Sequence, residues 1–177
     1  MEEVNEPEWR ASNAKKARET ADQLFPGEKW KTVEDGIYLS PRRAIGIKSN
    51  YKDELRDAQI LRDLGSTVYL TPEQRSDGTK KYDAIVNGLK MEFKNMSGKA
   101  NDTLIDHFYK SREQVPNVFI NLEESPLSKE RILRVLYGAR NSHKYIDHNK
   151  YPEGGKLILK IKGYKNLEYL DINDMEK

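Results

Sequence analysis

The chain contains no cysteine, which excludes disulfides, thiolate nucleophiles and cysteine-ligated zinc, and leaves the redox state of its compartment open. It also lacks any apolar run near the roughly eighteen residues of a membrane-spanning helix, and its acidic start, MEEVNEPEW, is unlike a signal peptide. The expectation is a chain with no membrane span and no export address of its own. Internal repeats and low-complexity tracts are absent as well. Charge of one sign is missing: 31 basic side chains stand against 29 acidic ones, so the net +2 gives a weak average field. Any surface for a polyanion must therefore come from local clustering. Histidine is scarce, with only His107, His143 and His148. The last two lie in a polar stretch and read as solvated, against a competing metal-free ribonuclease reading in which they do acid and base work.

What is there is organised around Lys80 to Asn95, KKYDAIVNGLKMEFKN. Asn87-Gly88 between two alternating runs is the strongest short-range signal for a two-residue type I′ β-hairpin. That turn sets the register. Val86 is expected to face Leu89, Ile85 to face Lys90, Ala84 to face Met91 and Asp83 to face Glu92. Strand side chains two apart share a face, so Lys94 joins Glu92 and Asp83 on one side, with Ala84, Val86, Leu89, Met91 and Phe93 as the core side.

Like charges facing across a ladder, with Cβ atoms about 5 Å apart, are destabilising. A divalent cation removes that penalty, because hard cations take carboxylate oxygens and water, and a neighbouring ammonium steadies charge on a phosphate or orients the attacking water. The competing reading is a surface Glu-x-Lys pair. Against it, Glu92-Phe93-Lys94 is the one place in the chain where an acid stands two before a lysine, and it falls on the register opposite Asp83.

At 177 residues the chain reads as one domain with a small appendage, an N-terminal helix and β extension over 1–50 ahead of a main domain over 51–177. Glu6 to Leu24 carries Trp9, Ala14, Ala17, Ala21 and Leu24 at helical spacing and ends at Pro26-Gly27. Trp30 and Ile37 to Leu39, then Ala44, Ile45 and Ile47, suggest two short strands around a Ser40-Pro41-Arg42-Arg43 turn. Its arginines read as solvated, with phosphate contact as the alternative. Tyr51 to Leu64 is the next helix, capped by Gly65, with Leu55, Ala58, Leu61 and Leu64 as its buried stripe. Glu54 sits one turn before Ala58 and leans inward from the first turn, where the helix dipole favours an acid.

Thr67 to Leu70 is a strand leading into a loop whose Arg75, Lys80 and Lys81 can hold a phosphate backbone. Lys81 faces Lys94 in the derived register, and Lys99 in the turn MSGKAND joins Arg75 and Lys81 in the expected substrate-binding set. Thr103 to Gln114 is a helix with Leu104, Ile105, Phe108 and Tyr109 on its apolar face. Val118 to Leu122 is a nearly continuous apolar run and so an interior strand. Ser128 to Tyr137 is a further helix, followed by a basic patch of Arg140, His143 and Lys144. Lys156 to Lys162 and Leu167 to Leu170 make a terminal hairpin. The alternation predicts an α/β layer with a mixed sheet flanked by helices.

A helix acid, a strand, an Asp, Glu-x-Lys on the adjoining strand, then helix and strand: this pattern resembles the PD-(D/E)XK nuclease superfamily. From about Tyr51 to Leu122 the chain looks like the C-terminal tRNase toxin domains of contact-dependent growth inhibition (CdiA) proteins, a group also met in phage and mobile elements. The matching residues are Glu54-x-x-x-Ala58-x-x-Leu61-x-x-x-Gly65, VYLTPE ending at Glu73, Asp83-Ala84 with Asn87-Gly88, Glu92-Phe93-Lys94, and Gln114 ahead of Asn117-Val118. Tyr82 departs from it, standing where the pattern usually has proline.

The resemblance implies a PD-(D/E)XK-like fold in which Glu54, Asp83 and Glu92 hold a divalent metal, Mg²⁺ first with Mn²⁺ and Zn²⁺ as alternatives. It makes Lys94 the catalytic lysine, Gln114 a site-facing glutamine that contacts substrate, and tRNA the substrate, with DNA as the alternative nucleic acid. A cognate immunity protein and action in the cytoplasm of a target cell after delivery follow from the same likeness. A DNA endonuclease of a repair, restriction or mobile-element system, and a non-catalytic phage or mobile-element binding module, are the rival readings.

Overall fold

A computed structural model describes residues 6–43, 45–72, 82–112, 115–139 and 155–171. The chain divides into two compact units, Met1–Lys90 and Met91–Lys177. Among the described residues they supply four helices and eight strands of a mixed α/β fold.

In the first unit, α1 (Glu6–Leu24) buries Ala17 and Ala21 of the expected stripe, while Leu24, expected in it as well, is exposed. A hairpin follows, β1 (Lys31–Glu34) antiparallel to β2 (Ile37–Leu39). Here the sequence reading is corrected. The strands turn at Asp35-Gly36, where Gly36 has φ +82° at no steric cost, and not at Ser40–Arg43. Ile45 and Ile47, expected in a strand, lie outside any strand and are exposed.

Helix α2 (Tyr51–Asp63) carries the chain from β2 back to a parallel neighbour, β3 (Val68–Leu70). The helix ends in a Schellman motif: Ser66 N–H donates to Leu61 O (2.9 Å) and Gly65 N–H to Arg62 O (3.0 Å), with Gly65 at φ +102°. β4 (Ala84–Val86) runs antiparallel to β3, pairing Val68 with Val86 and Leu70 with Ala84. The tight turn then follows as expected, with Asn87 at φ 51° and Gly88 at φ 87°. β5 starts directly after it and spans Leu89–Asn95. Ala84, Val86, Met91 and Phe93 are buried as core residues, but Leu89, placed on the same side by alternation, is exposed beside the turn.

In the second unit the chain passes through α3 (Asn101–Arg112) to β6 (Asn117–Leu122), which runs parallel to β5. α4 (Lys129–Ala139) leads to β7 (Lys156–Ile161), parallel to β6, and β8 (Glu168–Asp171) closes antiparallel on β7. Leu104 and Phe108 of α3, Ile132 and Leu136 of α4, and the alternating residues Val118, Ile120 and Leu122 of β6 form the core of this layer with Leu157, Leu159 and Ile161. All of β6 is buried, in keeping with a strand covered on both faces.

Candidate functional site

Because β2 and β3 run parallel and β4 runs against them, the C-terminal ends of β2 and β3 and the start of β4 meet at one edge of the first unit's sheet. The main chain ties that edge together. Ser40 N–H donates to Leu70 O (3.0 Å) and Thr71 N–H to Asp83 O (3.2 Å), while Thr71 Oγ1 donates to Tyr82 O (2.7 Å). Crossover ends of this kind are where α/β sheets place ligand-handling residues.

Three charged side chains converge there. Glu54 arrives from the first turn of α2, Asp83 from the residue before β4, and Arg43 from the turn after β2. The Arg43 guanidinium is enclosed by acceptors: Nε donates to Glu54 Oε2 (3.1 Å), and Nη1 donates to Thr71 O (2.7 Å) and Asp83 O (3.2 Å). Nη2 forms ion pairs with Glu54 Oε2 and, at 3.5 Å, with Asp83 Oδ1. The side chains are 3% exposed for Arg43, 12% for Glu54 and 21% for Asp83, so solvent reaches the cluster from the Asp83 side. Arg43 is therefore not a solvated turn arginine. Its neighbour Arg42 points outward and pairs with Glu28, whose carboxyl also accepts from Ser40 Oγ (2.6 Å). Burial pushes the Glu28 carboxyl up, but the Arg42 and Ser40 bonds outweigh it and hold it below the usual carboxylate value.

Glu92 and Lys94 belong to β5 in the second unit, two apart and so on one face. Glu92 is buried and pairs in register with Val118 of β6; Lys94, in register with Ile120, is half-buried. Glu92 is thus not the solvated surface acid of the competing reading. Phe93 between them packs edge-on to Phe119, ring centroids 5.8 Å apart, which fixes the strand against its neighbour. Lys99 lies exposed beyond the end of β5. Arg75, Lys80, Lys81, Glu73, Gln114, Arg140, His143, Lys144 and His148 lie outside the described residues. Tyr82, the departure from proline, is buried, with its ring tilted against Phe25 and the Lys90 ammonium 5.6 Å from its centroid.

Two carboxylates and two main-chain carbonyl oxygens gathered on one positive charge form an oxygen-only set, the donor type that suits a hard divalent cation. The charge in that set belongs to Arg43. Among the described residues no group of three or more His, Asp or Glu side chains is assembled to hold a metal ion. The first unit thus offers two carboxylates of the right chemistry, their charge half balanced by Arg43 from within the chain. Sequence reasoning missed Arg43's place because its partners lie 11 and 40 residues away.

The fold defines a mixed α/β protein with four helices, none of which, among the described residues, is long and apolar enough to cross a membrane. Among solved structures, it is similar to a chain of the CdiA-CT/CdiI toxin and immunity complex from Burkholderia pseudomallei, with a TM-score of 0.51. The sequences are 24% identical over 75% of this chain and 97% of that one. No protein-family model and no curated protein matches the chain.

Proposed function

We propose that this chain is a toxin-type, metal-dependent nuclease that hydrolyses phosphodiester bonds, with tRNA as its substrate and a cognate immunity protein as its partner. The observation that carries the reading is the convergence of the Glu54 and Asp83 carboxylates on a single cationic position at the open edge of the first unit's sheet. The fold likeness to a toxin and immunity complex supports the toxin setting and the immunity partner. The PD-(D/E)XK pattern of Glu54, Asp83 and Glu92-Phe93-Lys94 supports the chemistry, and RNA as the substrate rests on that likeness.

In this reading Glu54, Asp83 and Glu92 supply the carboxylates for Mg²⁺. Such an ion, when bound, lowers the pKa of a water and neutralises charge on the scissile phosphate. Lys94 orients that water, accepts its proton at Nζ or stabilises the charge that develops on the phosphate oxygens. Lys99, Arg75, Lys81 and Gln114 hold the substrate. The setting is the cytoplasm of a target cell.

The test is incubation of the purified chain with tRNA and with duplex DNA, in Mg²⁺ and in chelator. The expected result is cleavage of tRNA in Mg²⁺, none in chelator, and a loss of at least about 100-fold in Lys94→Ala, the scale of a missing acid–base group. Cleavage of duplex DNA alone overturns the tRNase reading. Full activity in Lys94→Ala together with its loss in His143→Ala replaces the metal mechanism with a histidine one.

A further inference from the structure

Arg43 has no part in the PD-(D/E)XK pattern, yet it is the most enclosed member of the charged cluster. All three of its guanidinium nitrogens are engaged, two of them with the carboxylates of Glu54 and Asp83 and one with the carbonyl oxygens of Thr71 and Asp83. A buried arginine deprived of such partners is strongly unfavourable, and a buried carboxylate such as Glu54 deprived of its cation is equally so. A guanidinium is a planar fork of fixed donors, so it holds the place between the carboxylates that another cation could take.

We propose that Arg43 is a positioning residue that stands in for the metal: its guanidinium keeps Glu54 and Asp83 converged in the metal-free protein, and a divalent ion must compete with it for both carboxylates. The inference rests on the metal reading above. Asp83, the most exposed of the three, gives the side from which an arriving ion meets the pair. The turn that carries Arg43 continues past Ser40, where Arg43 N–H donates to Ser40 O (3.1 Å), so the side chain can withdraw without unpairing β2.

The experiment compares wild type, Arg43→Met and Arg43→Lys by thermal unfolding with and without Mg²⁺ or Mn²⁺, and by calorimetric titration with Mn²⁺. In chelator, Arg43→Met should lose on the order of 10 °C in Tm, because two carboxylates lose the guanidinium they share. Divalent metal should restore more than half of that loss, while raising the wild-type Tm far less. Arg43→Lys, which keeps the charge but not the fork, should fold and bind Mn²⁺ at least about 10-fold more tightly than wild type. A Tm deficit in Arg43→Met that metal leaves untouched, or Mn²⁺ affinity unchanged in Arg43→Lys, overturns the proposal. Adding Asp83→Asn to Arg43→Met should abolish the metal rescue; rescue that persists also overturns it. Metal binding by wild type reports on the nuclease reading separately: if wild type binds and cleaves with Mn²⁺ but the variants bind no more tightly, only the role of Arg43 fails. If no protein of the series binds, both fail.

Discussion

Replacing Asn87 tests whether the tight turn is held by its backbone or by its side chain. The residue sits at φ 51°, a left-handed conformation that costs an ordinary L-residue on the order of 1 kcal/mol. Its side chain is also a three-way bracket in the first unit. Oδ1 accepts from Asn13 Nδ2 of α1 (2.8 Å) and from Thr67 N–H just ahead of β3 (2.9 Å), and Nδ2 donates to Ser66 Oγ (3.2 Å). Each bond is partly buried, so about 0.7 kcal/mol apiece is a fair net value and the three together contribute about 2 kcal/mol. Asn87→Ala loses both contributions, about 3 kcal/mol. Asn87→Gly loses the bracket but not the backbone fit, about 2 kcal/mol, and Asn87→Asp keeps both accepted bonds and costs about 1 kcal/mol.

Urea unfolding at pH 7 followed by far-ultraviolet circular dichroism reads these differences. With a slope of about 2 kcal/mol per molar, the midpoints should fall by about 1.5 M for Ala, 1 M for Gly and 0.5 M for Asp. The reasoning fails if Gly is as damaging as Ala, because the left-handed backbone would then be irrelevant. It also fails if Asp is as damaging as Gly, because the accepted bonds would then hold nothing.

The remaining predictions concern charge and close approach. Since the Glu28 carboxyl is held below its ordinary value of 4.5, its pairing with Arg42 and Ser40 stabilises the fold above that pH and is lost as pH falls through the lowered value. Wild type should therefore exceed Glu28→Gln by up to about 1 kcal/mol at pH 7, Arg42 being exposed and screened, and the gap should shrink as pH falls below 4.5; a gap that stays constant through that fall refutes this. Gly155 has φ +104°, and a Cβ there would lie 2.1 Å from the Pro116 carbonyl oxygen, so Gly155→Ala should cost more than about 2 kcal/mol by thermal unfolding. Gly98→Ala, with no atom within 4 Å of the added carbon, should stay within about 0.5 kcal/mol of wild type.

Elements whose signals are local were legible in the sequence. α1 runs over the residues its spacing and Pro26-Gly27 delimit, Gly65 closes α2, and Asn87-Gly88 makes its turn, because each is decided by side chains within a few positions. The burial of Glu54 followed from its position one turn before Ala58. The hairpin of β1 and β2 was misplaced because Ser40-Pro41 is a conspicuous break while Asp35-Gly36, the stronger hairpin signal, falls in a polar stretch with few apolar residues around it. Arg43 was beyond such reading. Whether an arginine after a strand is solvated or enclosed depends on α2 and on the start of β4, and neither is encoded near Arg43.

That dependence bears on why the cluster exists at all. Glu54 is placed by the first turn of α2, where its N–H donates to Asn50 O (3.0 Å), and Asp83 by the Thr71 bond to its carbonyl. Both bonds hold the main chain only; the carboxylates themselves meet on the guanidinium. Two like unit charges about 4 Å apart repel by on the order of 4 kcal/mol at an effective dielectric near 20, and backbone bonds do not stop two side chains from rotating apart once the cation they share is removed. A comparable fraction of a domain's whole stability is at stake. The cluster that keeps this pair together does so with a positive charge between them. A lysine would serve that need as a point charge, but the two carbonyl oxygens of Thr71 and Asp83 add directional acceptors that a planar fork meets and an ammonium does not. Under the exchange proposed above, the arginine holds its place until a cation of higher charge density arrives, and a small divalent ion among oxygen ligands has that property.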